Sequence, residues 1–146
     1  MKVLLTGDHA GMTLRNEVAD LLDEMGIVYE DAGASCVASV DYPDYALPAA
    51  ERIASGEFDR GIFICGTGIG MSIAANKVKG IRCALVHDMF SAKATRQHNN
   101  SNVLAMGERV IGPGLGREIA KVWLETEFQG DRHERRIEKI TTYEDK

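Results

Sequence analysis

Short apolar runs alternate along the chain with segments in which apolar residues recur at helical spacing. Buried strands are predicted at Lys2–Thr6, Ile27–Glu30, Gly61–Ile64, Ile81–Val86 and Val103–Met106. Helices are predicted over about 14–25, 45–55, 71–77 and 90–97, after Pro113-Gly114, and over 131–144. Strands that alternate with helices in this way require parallel pairing and right-handed crossovers. The pattern predicts a single-domain α/β fold, 1–146: a three-layer, doubly wound (Rossmann-like) five-stranded parallel sheet with helices on both faces.

The stretch Cys65-Gly66-Thr67-Gly68-Ile69-Gly70 stands between the third predicted strand and a helix. Its glycines let the backbone pass close to a ligand, and the free amides that open the helix favour an anion. The helix dipole favours a thiolate at Cys65, which makes this residue a candidate base or nucleophile. The alternative is a small buried residue that ends a strand.

The same stretch resembles the start of a dinucleotide-binding fingerprint. Met71 or Ile73 stands where the third glycine of that fingerprint belongs, so the fingerprint fails. Asp88 suits a ribose contact, and an NAD-binding protein therefore stays open as an alternative.

Polar motifs adjoin other predicted strands. Asp8-His9 follows the first strand, His87-Asp88 follows the fourth, and Arg96–Asn102 precedes the fifth. Because ligands bind beyond the carboxyl ends of parallel strands, we expect all of them to converge with Cys65 at one edge of the sheet. There His98 can act as a general acid, and the amide of Asn99 can orient hydroxyls. A helix cap and a solvated loop are the alternatives.

The last predicted helix begins with Asp131-Arg132-His133-Glu134-Arg135-Arg136. The spacing of Arg132 and Arg136 places both guanidinium groups on one helix face, where together they suit a phosphate. The alternative is a solvated face paired with Glu134 and Glu138.

Composition narrows the classes of partner. A chain of 146 residues with 45% hydrophobic content supports one core, and a net charge of -5 argues against binding nucleic acid or an anionic membrane. No apolar run approaches the ~20 residues of a membrane span. The three cysteines lack metal-ligand spacing. We expect a cytoplasmic protein without a metal or another cofactor.

A poised thiol, a glycine-lined anion site, an imidazole and arginines suit proton transfer beside the carbonyl of a phosphorylated polyol. The motifs that carry this chemistry closely resemble the type B ribose-5-phosphate isomerase family, in order and over nearly the whole chain. These motifs are Gly7-Asp8-His9-Ala10-Gly11, Asp41-Tyr42-Pro43, Cys65–Gly70 with Ser72–Lys77, Arg96-Gln97-His98-Asn99, Gly107-Glu108-Arg109-Val110 and Arg132–Arg136.

The resemblance implies an aldose-ketose isomerase of the pentose phosphate pathway that works without metal or nucleotide. Cys65 would shuttle a proton between the first two sugar carbons, and His98 would assist ring opening as proton donor, helped by Asp8 and Thr67. The implied substrate contacts are Gly66, Thr67, Gly68, Ile69 and Gly70 at the enediolate oxygens, His9, Arg109, Arg132 and Arg136 at the phosphate, and Asn99 and Tyr42 at the sugar. Asp8 is a further implied substrate contact.

The resemblance also implies a homodimer with active sites shared across the interface, with a dimer of dimers as a further option. The substrate class implied is a phosphorylated sugar, first ribose 5-phosphate and ribulose 5-phosphate. The same scaffold resembles allose-6-phosphate and galactose-6-phosphate isomerases, so a six-carbon substrate is an alternative. A non-catalytic sugar-phosphate sensor is a further alternative.

Overall fold

The computed structural model describes all 146 residues, 1–146. Its sheet consists of β1 (Lys2–Gly7), β2 (Val28–Asp31), β3 (Arg60–Cys65), β4 (Cys83–Leu85) and β5 (Val103–Gly107). All neighbouring strands pair in parallel, in the order β2-β1-β3-β5-β4. The predicted five-stranded parallel sheet is therefore confirmed.

Helices cover both faces of the sheet. They are α1 (Met12–Glu24), α2 (Pro43–Ala54), α3 (Ile69–Ala75), α4 (Met89–Asn99), α5 (Glu108–Glu125) and α6 (Arg132–Glu144). Helices α1, α4 and α5 supply the core on one face, and α2 and α3 supply the core on the other. Helix α6 lies outside these layers and packs on α4. The predicted three-layer architecture is confirmed, with α6 as an addition.

The central strand β3 is buried on both sides. Ile62 and Ile64 pack in the core beneath α1 and α5, whereas Phe63 and Cys65 pack in the core beneath α2 and α3. This division follows from the pleat, because successive side chains of a strand point to opposite faces. Cys65 therefore ends the central strand on the α2 and α3 side of the sheet.

The fourth strand is shorter than the predicted Ile81–Val86. The side chain of Asn76 bonds both main-chain groups of Cys83, at 2.9 Å to its N and 2.9 Å to its O. Asn102 Oδ1 accepts from the N–H of Arg82 at 2.8 Å. Because the side chain of Asn102 takes the N–H of Arg82, regular pairing begins only at Cys83, and it runs over Cys83–Leu85.

The fifth helix begins earlier than predicted. It follows β5 directly at Glu108 and is interrupted at Gly112, whose φ of 68° and ψ of 171° are not helical. Pro113 follows this break, so it marks the start of the second part of the helix and not the start of the whole helix.

None of the helices combines the length and apolarity needed to cross a membrane.

The strand order places a topological switch between β1 and β3. The chain leaves β1 towards β2 on one side and leaves β3 towards β4 on the other. Such a divergence opens a crevice at the carboxyl edge of the sheet. Asp8 directly follows β1 and Cys65 ends β3, so both residues lie at this crevice.

Candidate active site

The turn after β3 is built around Cys65, which is 5% exposed. The backbone N–H of Gly68 donates to Cys65 Sγ at 3.1 Å. Gly68 adopts a left-handed conformation, with φ 77°, directly before α3. The local backbone therefore fixes the sulfur of Cys65 at the start of α3, and its role as proton acceptor stays a prediction.

Two glycines bring neighbouring segments against this turn. A Cβ on Gly70 would lie 2.7 Å from the ring of Tyr42, and a Cβ on Gly107 would lie 2.4 Å from the backbone carbon of Thr67. Only glycine permits such approaches. Gly70 therefore allows Tyr42 to cover the turn from one side, and Gly107 allows β5 to support it from another.

A cavity of about 230 Å³ opens over the turn. Its lining contains eight residues that the sequence predicts as site residues or that belong to the predicted turn, namely Asp8, His9, Tyr42, Cys65, Gly66, Thr67, Gly70 and Arg109, together with Ala10. We call these eight residues the carboxyl-edge group. The convergence predicted for Asp8-His9 and the Cys65 turn is therefore confirmed.

Hydrogen bonds orient several members of this group. The carboxylate of Asp8 accepts from the N–H of Ala10 at 2.8 Å. The N–H of Val40 donates to His9 Nδ1 at 3.2 Å, which places the proton of a neutral His9 ring on Nε2. Arg109 N donates to the carbonyl of Gly66 at 3.0 Å. Imidazole, guanidinium and turn amides thus surround one small cavity, which suits an anionic ligand.

The remaining residues of the predicted turn lie beside this cavity. Gly68 packs against β5, where a Cβ would lie 2.8 Å from the backbone carbon of Met106. Ile69 opens α3 with its side chain 49% exposed. Their amides belong to the same turn, but neither residue lines the cavity.

His98 and Asn99 do not lie at this edge, so the predicted convergence is wrong for them. They end α4, which runs back against the strand direction, and Asn102 just beyond accepts from Gly61 N at 2.9 Å at the start of β3. Gly61 and Cys65 are four residues apart on this strand, about 13 Å. The physical reason is that a loop before a parallel strand lies at the amino edge, opposite the loops that follow strands.

The last helix lies at the same amino edge. Gln129 N donates to the carbonyl of Gln97 at 3.1 Å just before α6 begins, and Glu144 near its end accepts from Gly80 N at 3.2 Å. The predicted phosphate ligands Arg132 and Arg136 are therefore near His98 and remote from Cys65. We call His98, Asn99, Arg132, His133 and Arg136 the amino-edge group.

His133 is a member of this group that sequence reasoning missed. It is 6% exposed and its ring stacks on that of His98, with the centroids 4.4 Å apart. Burial lowers the pKa of His133, and the positive potential of His98, Arg132 and Arg136 lowers it further. The only sequence signal is a histidine between Arg132 and Glu134, which does not reveal its burial.

The alternative built on Asp88 loses its main support. The Asp88 carboxylate caps α4, accepting from Ser91 N at 2.7 Å. This hydrogen bond is the main reason that the pKa of Asp88 lies below its usual value. No group of three or more histidine, cysteine, aspartate or glutamate side chains is arranged to hold a metal ion.

Solved structures resemble this chain closely. The ribose-5-phosphate isomerase B of Clostridium thermocellum is 50% identical and superposes with a TM-score of 0.96, covering 99% of this chain and 98% of that one. The Mycoplasma genitalium ribose-5-phosphate isomerase B, solved with bound ribulose-5-phosphate, is 38% identical with a TM-score of 0.95, covering 99% and 97%.

Sequence relatives match this chain over nearly their whole length. The Bacillus subtilis protein YwlF, whose name assigns it provisionally to the sugar phosphate isomerases, is 68% identical over 147 residues, covering 100% of this chain and 99% of the relative. A D-erythrulose-4-phosphate isomerase of Pectobacterium atrosepticum is 42% identical, covering 99% and 95%. The family model described as Ribose/Galactose Isomerase matches residues 3–140. This chain therefore belongs to the ribose/galactose isomerase family.

Proposed function

We infer that this chain is an aldose-ketose isomerase that interconverts ribose 5-phosphate and ribulose 5-phosphate. The observation that carries this inference is the cavity over Cys65, where a buried sulfur accepts a backbone hydrogen bond beside Asp8, Thr67 and Arg109. Close overall similarity to a relative solved with ribulose-5-phosphate supports the choice of sugar.

The reaction begins with opening of the aldose ring. His98 donates a proton to the ring oxygen, while Asp8 accepts the proton of the O1 hydroxyl and Thr67 helps to orient the sugar. The C1–O bond of the ring breaks and leaves an aldehyde at C1. The acyclic sugar then has an acidic C–H beside a carbonyl, which is what a thiolate base requires.

Isomerisation follows at the first two carbons. The thiolate of Cys65 removes the proton from C2, and the electron pair moves to O1 to give an enediolate. The amides of the Gly66–Gly70 turn hold the developing negative charge. A proton passes from O2 to O1, and Cys65 returns its proton to C1, so that the ketose forms without net gain or loss of protons.

Substrate binding is divided between the two groups of residues. His9 and Arg109 of the carboxyl-edge group, with Arg132 and Arg136 of the amino-edge group, hold the phosphate. Tyr42 and Asn99 contact the sugar. These assignments place residues from opposite edges of the sheet on a single small ligand.

A second copy of the chain resolves this separation. In a two-fold dimer the amino-edge group of one protomer can face the carboxyl-edge group of its partner, which completes two equivalent sites. Exposed apolar side chains on two helices support such pairing: Ile73 of α3 is 55% exposed and Phe90 of α4 is 81% exposed. We propose a homodimer with shared active sites, and association of two dimers as a further step.

Subunit complementation tests the shared site. With ribose 5-phosphate as substrate, the Cys65→Ser and His98→Asn proteins should each be nearly inactive. When they are unfolded and refolded together in equal amounts, about one quarter of wild-type activity should return, because half of the dimers then contain one intact site of two. A site formed within one chain predicts no recovery. Cys65→Ser mixed with Cys65→Ala serves as the control and should stay inactive.

A substrate comparison tests the proposed reaction. We expect kcat/KM for ribose 5-phosphate to exceed that for allose 6-phosphate, galactose 6-phosphate and D-erythrulose 4-phosphate. The four-carbon ketose is the second candidate, because a relative 42% identical carries that activity in its name. A higher kcat/KM for a four-carbon or six-carbon sugar would reassign the substrate, and tight binding without turnover of any sugar would favour a sensor.

A further inference from the structure

The last turn of α4, which carries His98 and Asn99, is held from one side by Arg82. Its Nε donates to the carbonyl of Asn99 at 3.2 Å and to that of Asn100 at 3.0 Å. The side chain is half-buried, and burial lowers the pKa of Arg82. The two carbonyls share the single N–H of a partly desolvated guanidinium, which attaches this turn to the start of β4.

Arg96 holds the same turn from within α4. It is 5% exposed, and its Nη1 donates to the side-chain oxygen of Asn100 at 2.9 Å and to the carbonyl of Ser101 at 2.5 Å. Its Nε donates to the carbonyl of Thr126 at 3.3 Å. Trp123, fully buried, donates from Nε1 to Ser101 Oγ at 2.9 Å. The turn is thus fastened to α5 as well as to the start of β4.

These attachments offset an intrinsic weakness of the turn. The final carbonyls of a helix have no partner within it and form the negative end of its dipole. Asn100, directly after α4, adopts φ 45° and ψ 45°, a left-handed conformation that few residues other than glycine and asparagine adopt. The two guanidinium groups thus hold the main chain of the last turn, from which the side chain of His98 projects.

We propose that Arg82 and Arg96 are positioning residues for His98 and Asn99. The inference rests on the proposed function, in which His98 opens the sugar ring. Neither arginine lines the cavity over Cys65, so neither acts on the proton transfer at the first two carbons from its own chain. They act through the placement of the last turn of α4.

The chemistry of the two substrates separates ring opening from isomerisation. Ribose 5-phosphate closes a furanose ring through O4 and must be opened on the enzyme. Ribulose 5-phosphate has its O5 esterified, so it has no hydroxyl that can close a five-membered ring onto C2, and it is acyclic. The aldehyde formed from it can leave the enzyme and close in solution. Turnover from the ketose therefore needs Cys65 but does not depend on ring opening by His98.

The test compares kcat in the two directions at saturating substrate for Arg82→Met. We expect kcat from ribose 5-phosphate to fall by about tenfold or more, because small displacements of a general acid are costly, while kcat from ribulose 5-phosphate falls less than about twofold. A displaced Asn99 should raise KM in both directions. Arg96→Lys, which keeps the charge but loses the fork of donors, should show the same asymmetry.

Arg117→Met is the matched control. Arg117 is also a half-buried arginine; it donates to the carbonyl of Glu17 at 3.2 Å and pairs with Glu24, joining α5 to α1 away from His98. This variant should keep kcat in both directions. If Arg82→Met does not fold, Arg82→Gln, which keeps an N–H donor, is measured by the same two assays and judged in the same way.

An equal fall of kcat in both directions, or no change in either, would overturn the inference, because a general loss of structure does not distinguish the aldose from the ketose. A wild-type protein that turns over neither sugar phosphate would instead contradict the proposed function, and the inference with it.

Discussion

The imidazole rings of His98 and His133 are stacked, with their centroids 4.4 Å apart and their planes 15° from parallel. The contact joins α4 to α6, and the side chain of His133 is buried there. Burial disfavours a charge on His133, and so do His98, Arg132 and Arg136, whereas Asp131 opposes them more weakly. The pair is therefore held in a state in which His133 is neutral.

This arrangement predicts that acid loosens the last helix. Since the pKa of His133 is lower in the folded chain than the usual ~6.5, its contribution to stability is present above that value and is lost as the pH falls through the folded value. We expect the melting temperature to fall as the pH is lowered below about 6.5, and to fall less in His133→Phe. Thermal unfolding at a series of pH values measures this. His87→Phe, at an exposed histidine, should keep the wild-type dependence.

The arginines of α6 provide a separate prediction. Arg132→Ala and Arg136→Ala should each raise KM for ribose 5-phosphate by about tenfold or more and weaken inhibition by inorganic phosphate, because each removes a charged donor from the anion. Steady-state kinetics with phosphate as inhibitor measure both effects. Arg52→Ala is the control, since Arg52 is engaged with Glu30 and Glu57 on the surface. Unchanged kinetics in both α6 variants would mean that this helix face is solvated and does not bind the phosphate.

The Cys65 turn could be predicted from sequence because its signals are local. Glycine spacing after an apolar run specifies a strand, a tight turn and a helix start, and the structure has all of them. The parallel sheet could also be predicted from sequence, because short apolar runs alternate with segments of helical spacing. The start of the fourth strand could not be predicted in this way, because the side chain of Asn102 bonds the N–H of Arg82 and no sequence pattern reveals such a bond.

The amino-edge group shows the limit of sequence reasoning more sharply. The polar stretch around His98 has the composition of a functional site. The edge of the sheet at which it lies, however, is determined by the direction of α4 and not by composition. The burial of His133 depends on how α6 packs on α4, which no local pattern encodes. The catalytic roles, the dimer, the cytoplasmic location and the lack of a cofactor stay predictions.

Chelation tests the expected lack of a metal directly. Activity should survive exhaustive treatment with a chelator, because the amides of the Gly66–Gly70 turn and the arginines supply positive potential for the enediolate and phosphate. The measurement is kcat/KM before and after chelation, with metal content followed in parallel. Loss of activity that a divalent ion restores would contradict the prediction.

The three cysteines should differ in reactivity. Burial raises the pKa of Cys83 to about 12, so its thiol should stay protonated and resist alkylation at neutral pH. Cys36 is exposed and should react without loss of activity. Alkylation of Cys65 should inactivate the protein, and ribose 5-phosphate or phosphate should protect it. Mass spectrometry of each cysteine against residual activity measures this, and inactivation that tracks Cys36 alone would contradict it.

The proton transfer itself rests on Cys65. Cys65→Ser keeps the shape of the site but supplies a much weaker base, and Cys65→Ala supplies none, so turnover should fall by about a thousandfold or more while the fold and phosphate affinity remain. Cys36→Ser and Cys83→Ala are the matched controls and should keep kcat. The decisive measurement is exchange of the C2 proton of ribose 5-phosphate with solvent deuterium in Cys65→Ala. If the thiolate removes that proton, exchange should stop with turnover, because no other carboxyl-edge side chain is assigned to C2. Continued fast exchange would mean that another group is the base.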